Sequence, residues 1–165
     1  MVALETGKRA PDFTLPSDDG KKTFTLKGLL DGKGAVLAFF KTECPTCQLE
    51  FPFVERMAKA LAGTGVHLVA IGQNLGKEIG SFRRAFGISL PVATDLQPYP
   101  VSAAYGLTVV PTLFLLDPKG TIRRMEVGFS KENLEAFLRD ACAMAGTKSP
   151  GLFLPSDEVP PMQPG

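Results

Sequence analysis

The sequence predicts an α/β domain built on a mixed β-sheet flanked by helices. Three observations point there. Two short apolar runs, GAVLAFF at 34–40 and VHLVAIG at 66–72, read as buried strands. Each is followed by a stretch of helical composition. A later segment, 109–129, reads as two strands around the turn Pro118-Lys119-Gly120, with one more helix behind it. Strands alternating with helices, then a hairpin, give a sheet with both parallel and antiparallel neighbours.

Taken in order, residues 1–33 read as loop with two strand pieces, DFTL and TFTL. The turn signals DGKG precede the first buried strand. After it, Phe51, Val54, Ala58 and Leu61 fall on one helical face, with Gly63 as a stop. Pro52 deprives the Gln48 carbonyl of its helical donor and should bend this helix. Ile79, Phe82 and Phe86 form a second helical stripe closed by Gly87. LPVATD is a short strand candidate and VSAAYG a helical turn. Ser130 is a good N-cap for the last helix, whose stripe is Leu134, Phe137, Leu138, Ala141, Cys142 and Ala145. From Gly146 the pattern breaks, with five Pro and three Gly in the last twenty residues. The expected organisation is therefore a domain over 1–145 and an irregular tail over 146–165, whose GLFL segment is apolar enough to dock on the body.

Composition narrows the function. The net charge of +1 provides no global field for nucleic acid or an anionic membrane. No apolar run approaches the length of a membrane-spanning helix. The start MVALETGKRAPDF lacks the basic-then-apolar layout of a leader, so the expected location is the cytoplasm. The alternative is an exported or membrane-anchored protein whose leader lies outside this sequence. Three cysteines are too few for a disulfide-stapled scaffold.

Two of those cysteines, Cys44 and Cys47, lie in KTECPTCQ, between the first strand and its helix. At that spacing on a helix the Cα atoms are roughly 5 to 5.5 Å apart, within reach of a disulfide. A sulfur at a helix start sits among unpaired N–H groups at the positive end of the dipole, which favours the thiolate. Pro45 suits the first helical turn. Zinc would want four ligands, and only Cys142 and His67 remain to supply them. A purely structural disulfide would close too small a loop to stabilise much. A redox dithiol is the reading favoured. Glu50, three residues after Cys47, is either a solvated helix carboxylate or a group that relays the proton of the inner cysteine. Arg83-Arg84 and Arg123-Arg124 read as solvated charges, and Cys142 as buried and inert.

CPTCQLEFP resembles the Cys-x-x-Cys-x-x-Glu-x-Pro signature of TlpA/ResA-like thiol–disulfide oxidoreductases in the thioredoxin superfamily. APDFTL is similar to the start of this group and of the AhpC/TSA peroxiredoxins. YGLTVVPTLFLLDPKGTI resembles the family's cis-proline and strand–turn–strand segment. The likeness covers about residues 7–145. It implies a thioredoxin-like fold with an N-terminal extension and a cis-Pro loop at Val110–Pro111. It also implies that Cys44 attacks, Cys47 resolves and Glu50 assists. Pro45, Thr46, Val110 and Pro111 would meet the substrate, a protein or small-molecule disulfide. An upstream thiol reductant, either a thioredoxin or a membrane electron donor, would reset the pair. The redox-active Cys44–Cys47 disulfide would need no other cofactor and no metal.

Departures from the pattern are informative. Glu43 stands where relatives usually have Trp, and Ala38 where thioredoxins have a buried Asp. Glu43 and Lys41 push the Cys44 thiolate in opposite directions. A thiol peroxidase is the closest alternative, but its required Thr and Pro fall on Lys41 and Leu37, with Thr42 one residue out of register. The third class is a non-catalytic module binding a metal or a partner through the same groove.

Overall fold

The computed structural model describes residues 3–165. Its central sheet has the order β5-β4-β3-β6-β7. These strands are β3 (Gly34–Phe40), β4 (Val66–Gly72), β5 (Val92–Thr94), β6 (Thr112–Leu116) and β7 (Ile122–Val127). β3 runs parallel to β4 and antiparallel to β6, and β4 runs parallel to β5, so the sheet is mixed as expected. The outer pair β6 and β7 is the expected hairpin, with an irregular register at Leu115/Leu116.

All seven residues of β3 are buried, and their alternation divides the core. Val36, Ala38 and Phe40 face one cluster, and Leu37 and Phe39 the other. The first cluster is filled by the helices α2 (Pro45–Leu61), α3 (Gly76–Phe86) and α5 (Lys131–Ala145). The second is closed by the N-terminal extension, by α1 (Leu26–Leu29) and by α4 (Pro100–Ala104). A strand covered on both faces has no polar side and reads as a continuous apolar run.

The helices start where their caps allow. Ser130 accepts from the N–H of Asn133 and opens α5, and Gly146 ends it in the left-handed region that glycine tolerates. α2 continues through Pro52. Its buried arc is wider than the expected stripe. It takes in Glu50, Phe53, Glu55 and Met57, while Ala58 is only partly covered. The cause is that α2 meets neighbours on several sides, namely the sheet, α3, α5 and the end of the chain.

In the N-terminal region β1 (Thr14–Pro16) and β2 (Thr23–Thr25) pair antiparallel, close to the expected strand pieces. α1 has no counterpart in the sequence reading, because four residues carry no helical period. Residues 146–165 have little regular structure, yet they pack on the body. Leu152 is buried, and Phe153 lies 4.5 Å from Phe53 between ring centroids. The Leu152 and Phe153 N–H groups donate to Glu135, and Arg56 forms two hydrogen bonds with Asp157. Further on, β9 (Met162–Gln163) pairs with β8 (Phe129–Ser130). Among the described residues no helix is long and apolar enough to cross a membrane.

The solvated reading holds for Arg84 and Arg123, which are exposed, and needs correction for Arg83 and Arg124. Arg83 is half-buried and joins three segments: it donates to both Asp18 oxygens and to the carbonyls of Leu90 and Ile88. Arg123 pairs with Asp117, and Arg124 with Glu126 and Asp140. Isolated exposed pairs contribute little, but Arg83 satisfies acceptors on the extension and on the segment leading into β5. Arg83→Ala should therefore cost about 2 kcal/mol in urea unfolding. A loss within 0.5 kcal/mol, on the order expected at a plain surface site, would show the bridge to be inert.

Candidate active site

The site lies at the carboxyl ends of the parallel strands β3 and β4. Phe40 ends β3 opposite Gly72, so residues 41–43 emerge beside Gln73 and Asn74. This is where open α/β sheets gather their reactive groups. Asn74 accepts from the Thr42 N–H through its side-chain oxygen, at 3.0 Å, and donates to Glu43 from its nitrogen, also at 3.0 Å. Gln48 donates to the Thr42 carbonyl from the first turns of α2. The loop between strand and helix is thus held from both sides.

Cys44 is the N-cap of α2, with an extended backbone, and Pro45 follows it at the helix start. The Cys47 N–H donates to the Cys44 sulfur at 3.2 Å, a direct stabilisation of negative charge on that atom. The Cys44 thiol donates to the Val110 carbonyl at 3.5 Å. Cys44 is half-exposed and Cys47 is buried, and both are free thiols. Burial, then the hydrogen bond from Cys47 to Cys44, pushes the Cys47 thiol far up. One cysteine is therefore partly accessible, with its sulfur accepting a helix-start N–H, and the other is sequestered and protonated.

The peptide bond Val110–Pro111 is cis, as the resemblance implies. Val110, Pro45, Lys41 and Cys44 line a cleft of about 370 Å³ together with Gln73 and Gly165. Glu43 does not enter that cleft. Its carboxylate is held by Asn74 and Thr42, and its pKa is lowered chiefly by the Asn74 hydrogen bond. It borders a second cleft of about 380 Å³ that Phe82 and Phe86 also line. A third cleft, about 1060 Å³, lies between the N-terminal extension and Pro118 and contains neither cysteine.

Glu50 has no exposed surface, and neither of its carboxyl oxygens has a hydrogen-bond partner. The solvated alternative does not describe it. Burial raises its pKa well above the usual carboxylate range, and the neighbouring Cys44 and Glu126 add to the effect. Ala38, on β3, carries no carboxyl of its own into this core cluster. Thr46 is buried too. Its hydroxyl donates to the Pro164 carbonyl at 2.6 Å and accepts from Gln163 at 2.9 Å.

Other site residues were not singled out in the sequence. Gln73 and Asn74 had a usable signal, since they directly follow β4, whose parallel pairing with β3 puts the two strand ends together. Gln163 and Gly165 had none. Cys142 is buried in the core, and burial pushes its thiol up. His67 is exposed and bonded to the Asp31 carbonyl. Among the described residues no group of three or more His, Cys, Asp and Glu side chains is placed to hold a metal ion.

A dithiol at a helix start beside a cis-proline, on a mixed sheet of this order, defines a thioredoxin-fold thiol–disulfide oxidoreductase. The AhpC/TSA family model matches residues 6–125, and the chain belongs to that family. It is 31% identical over 135 residues to the thiol–disulfide oxidoreductase ResA of Bacillus subtilis (strain 168), covering 80% of this chain and 73% of that protein. Identity to ResA of Bacillus thuringiensis (strain Al Hakam) is 32% over 138 residues, covering 82% and 78%. Among solved structures, a protein provisionally designated thiol:disulfide interchange protein DsbE from Chlorobium tepidum superposes with a TM-score of 0.77. It is 28% identical, with 87% of this chain and 100% of that one covered. Peroxidoxin BcpB of Mycobacterium tuberculosis shares the fold, with a TM-score of 0.68 at 23% identity and coverage of 87% and 97%.

The buried carboxyl leads to a pH test. An unfolded glutamate releases its proton near pH 4.5, while folded Glu50 still holds it. Above that pH folding takes up a proton, so this group's contribution to stability falls as pH rises through the folded pKa. Glu50→Gln removes the titration. Relative to the native chain it should gain about 1 kcal/mol or more between pH ~5 and pH ~8 in urea unfolding. Parallel pH profiles for the two proteins would contradict the assignment.

Proposed function

We propose that this oxidoreductase works as a reductase of protein or small-molecule disulfides, with Cys44 attacking and Cys47 resolving. The observation that carries the reading is the asymmetry of the pair. The half-exposed Cys44 sulfur accepts the helix-start N–H, and the Cys47 thiol is buried beside an unpartnered carboxyl. The Cys44 thiolate attacks one sulfur of the substrate disulfide. A mixed disulfide forms, and the other substrate sulfur leaves as a thiolate that takes a proton from water. Cys47 then gives up its proton, attacks Cys44 and expels the second substrate thiol. Two electrons have passed to the substrate, and Cys44–Cys47 is left as a disulfide.

In this scheme Glu50 first releases its own proton to water, and the carboxylate so formed accepts the proton that Cys47 gives up. The raised proton affinity of Glu50 supports the role, because a carboxylate closer in basicity to a thiol is a better base for it. Val110, whose carbonyl accepts from the attacking sulfur, and Pro45 line the cleft beside it, and with Pro111 they are the surface that a substrate segment meets in this reading. The chemistry needs only the two sulfurs, with no metal or organic cofactor. The reductant that resets the pair is a thioredoxin if the protein acts in the cytoplasm, and a membrane electron donor if it acts outside. Peroxide turnover is the weaker reading, since Lys41 occupies the position of the hydroxyl that would polarise the peroxide.

Cys47→Ser should trap a mixed disulfide with reduced-and-reoxidised insulin chains, visible on a non-reducing gel, whereas Cys44→Ser should trap none. Equal trapping by both would contradict the roles. The reductase reading also expects a Cys44–Cys47 potential below about −220 mV and no turnover of hydrogen peroxide. Fast peroxide turnover with slow insulin reduction would transfer the case to a peroxidase.

A further inference from the structure

Resting on the dithiol reading above, we propose that residues 161–165 are a tethered occupant of the polypeptide side of the Cys44 cleft. They restrict the resting protein to small disulfides and to polypeptides that displace them. Gln163 and Thr46 set that specificity.

Four separate contacts place the segment there. The hydroxyl of Thr46, the residue between Pro45 and Cys47, donates to the Pro164 carbonyl and accepts from the Gln163 amide. The segment lies in register as a strand: Phe129 pairs with Gln163 and Ser130 with Met162, and the Lys131 N–H donates to the Pro161 carbonyl. Its backbone lies flat on Gly128, where a Cβ would come within 3.1 Å of the Gln163 carbonyl and the Gly165 nitrogen. Finally, a Cβ on Gly165 would run into the Val110 carbonyl, so only a bare backbone fits at that point. That carbonyl is the one to which the Cys44 thiol donates.

The contacts are those of a bound peptide. An added strand docks through main-chain hydrogen bonds to a sheet edge, and side-chain contacts fix its register. Here the receiving strand is β8, which among the described residues pairs only with this segment, and the register is read by Thr46. Residues 160–165 include no buried side chain, so the segment does not belong to the core. It is held instead by the anchors before it: Leu152, Phe153 and the Arg56–Asp157 pair.

What remains open beside the cysteine is the cleft of about 370 Å³, with Gly165 as one wall. This volume is at the lower end of small-ligand sites. A small disulfide reaches the Cys44 sulfur through it. A polypeptide chain crossing Val110 toward Thr46 meets Gly165 and Pro164 first.

The test uses the native chain and two variants, Gln163→Ala and Asp157→Ala, each removing hydrogen bonds that hold the segment or its anchor. Reduction of insulin and of hydroxyethyl disulfide is measured in parallel, together with amide exchange over 128–131 and 161–165. We expect faster amide exchange in both variants and a rise of about two- to tenfold in kcat/KM for insulin, the size one or two net hydrogen bonds permit. The small disulfide should change by less than about twofold. Faster exchange with unchanged insulin kinetics overturns the proposal, as does exchange that stays native in both variants. Inactivity of the native chain on both disulfides would overturn the reductase reading instead, while the exchange data would still report on the segment.

Discussion

The reactive end depends on one geometric constraint. The chain leaves a strand buried on both faces at Phe40 and must enter a helix at Pro45. Pairing with β4 on one side and β6 on the other fixes where β3 ends. Asn74 and Gln48 then hold the four intervening residues from opposite sides. The outcome is that Cys44 must cap the helix, and its sulfur receives the N–H that a serine or aspartate oxygen would receive elsewhere. Reactivity follows from ordinary capping chemistry with sulfur as the acceptor. Moving the cysteine by one residue would leave the fold intact and the sulfur without its donor.

Glu50 is the second element of the site, and it costs stability. A carboxyl placed in a core without partners must remain largely neutral. Ala38 contributes to this placement. A small side chain on β3 leaves the dithiol without a strand-borne carboxyl, and the helix provides one from the turn after Cys47. A buried, strained-in-charge group that no packing argument requires is what proton transfer would call for. The neighbouring Glu126 strengthens the effect from β7, so the hairpin takes part in tuning the helix.

The strands that carry the site were readable because burial on both faces turns them into unbroken apolar runs between turn signals. The cap at Ser130 and the stripe of α5 were readable for similarly local reasons. Glu50 was ambiguous because local spacing cannot tell how many neighbours a helix has. α2 buries more than one stripe, and its carboxylates at 50 and 55 lie within that wider arc. Arg83 was misread because its partners, Asp18 and the Leu90 carbonyl, belong to segments brought together only by the fold. The tail's course was illegible for the same reason. Proline and glycine forecast an absence of regular structure, and that is compatible with tight docking through Glu135, Phe53 and Arg56.

The anchor at 152–157 has a further consequence. With Leu152 and Asp157 fixed, only a few residues separate the pinned chain from Gln163. A short tether presents its end at a local concentration on the order of millimolar, whatever the amount of protein in solution. An incoming polypeptide competes against that constant value. Dilution or overexpression would not alter the outcome, whereas a partner that loosened the Arg56–Asp157 clamp would.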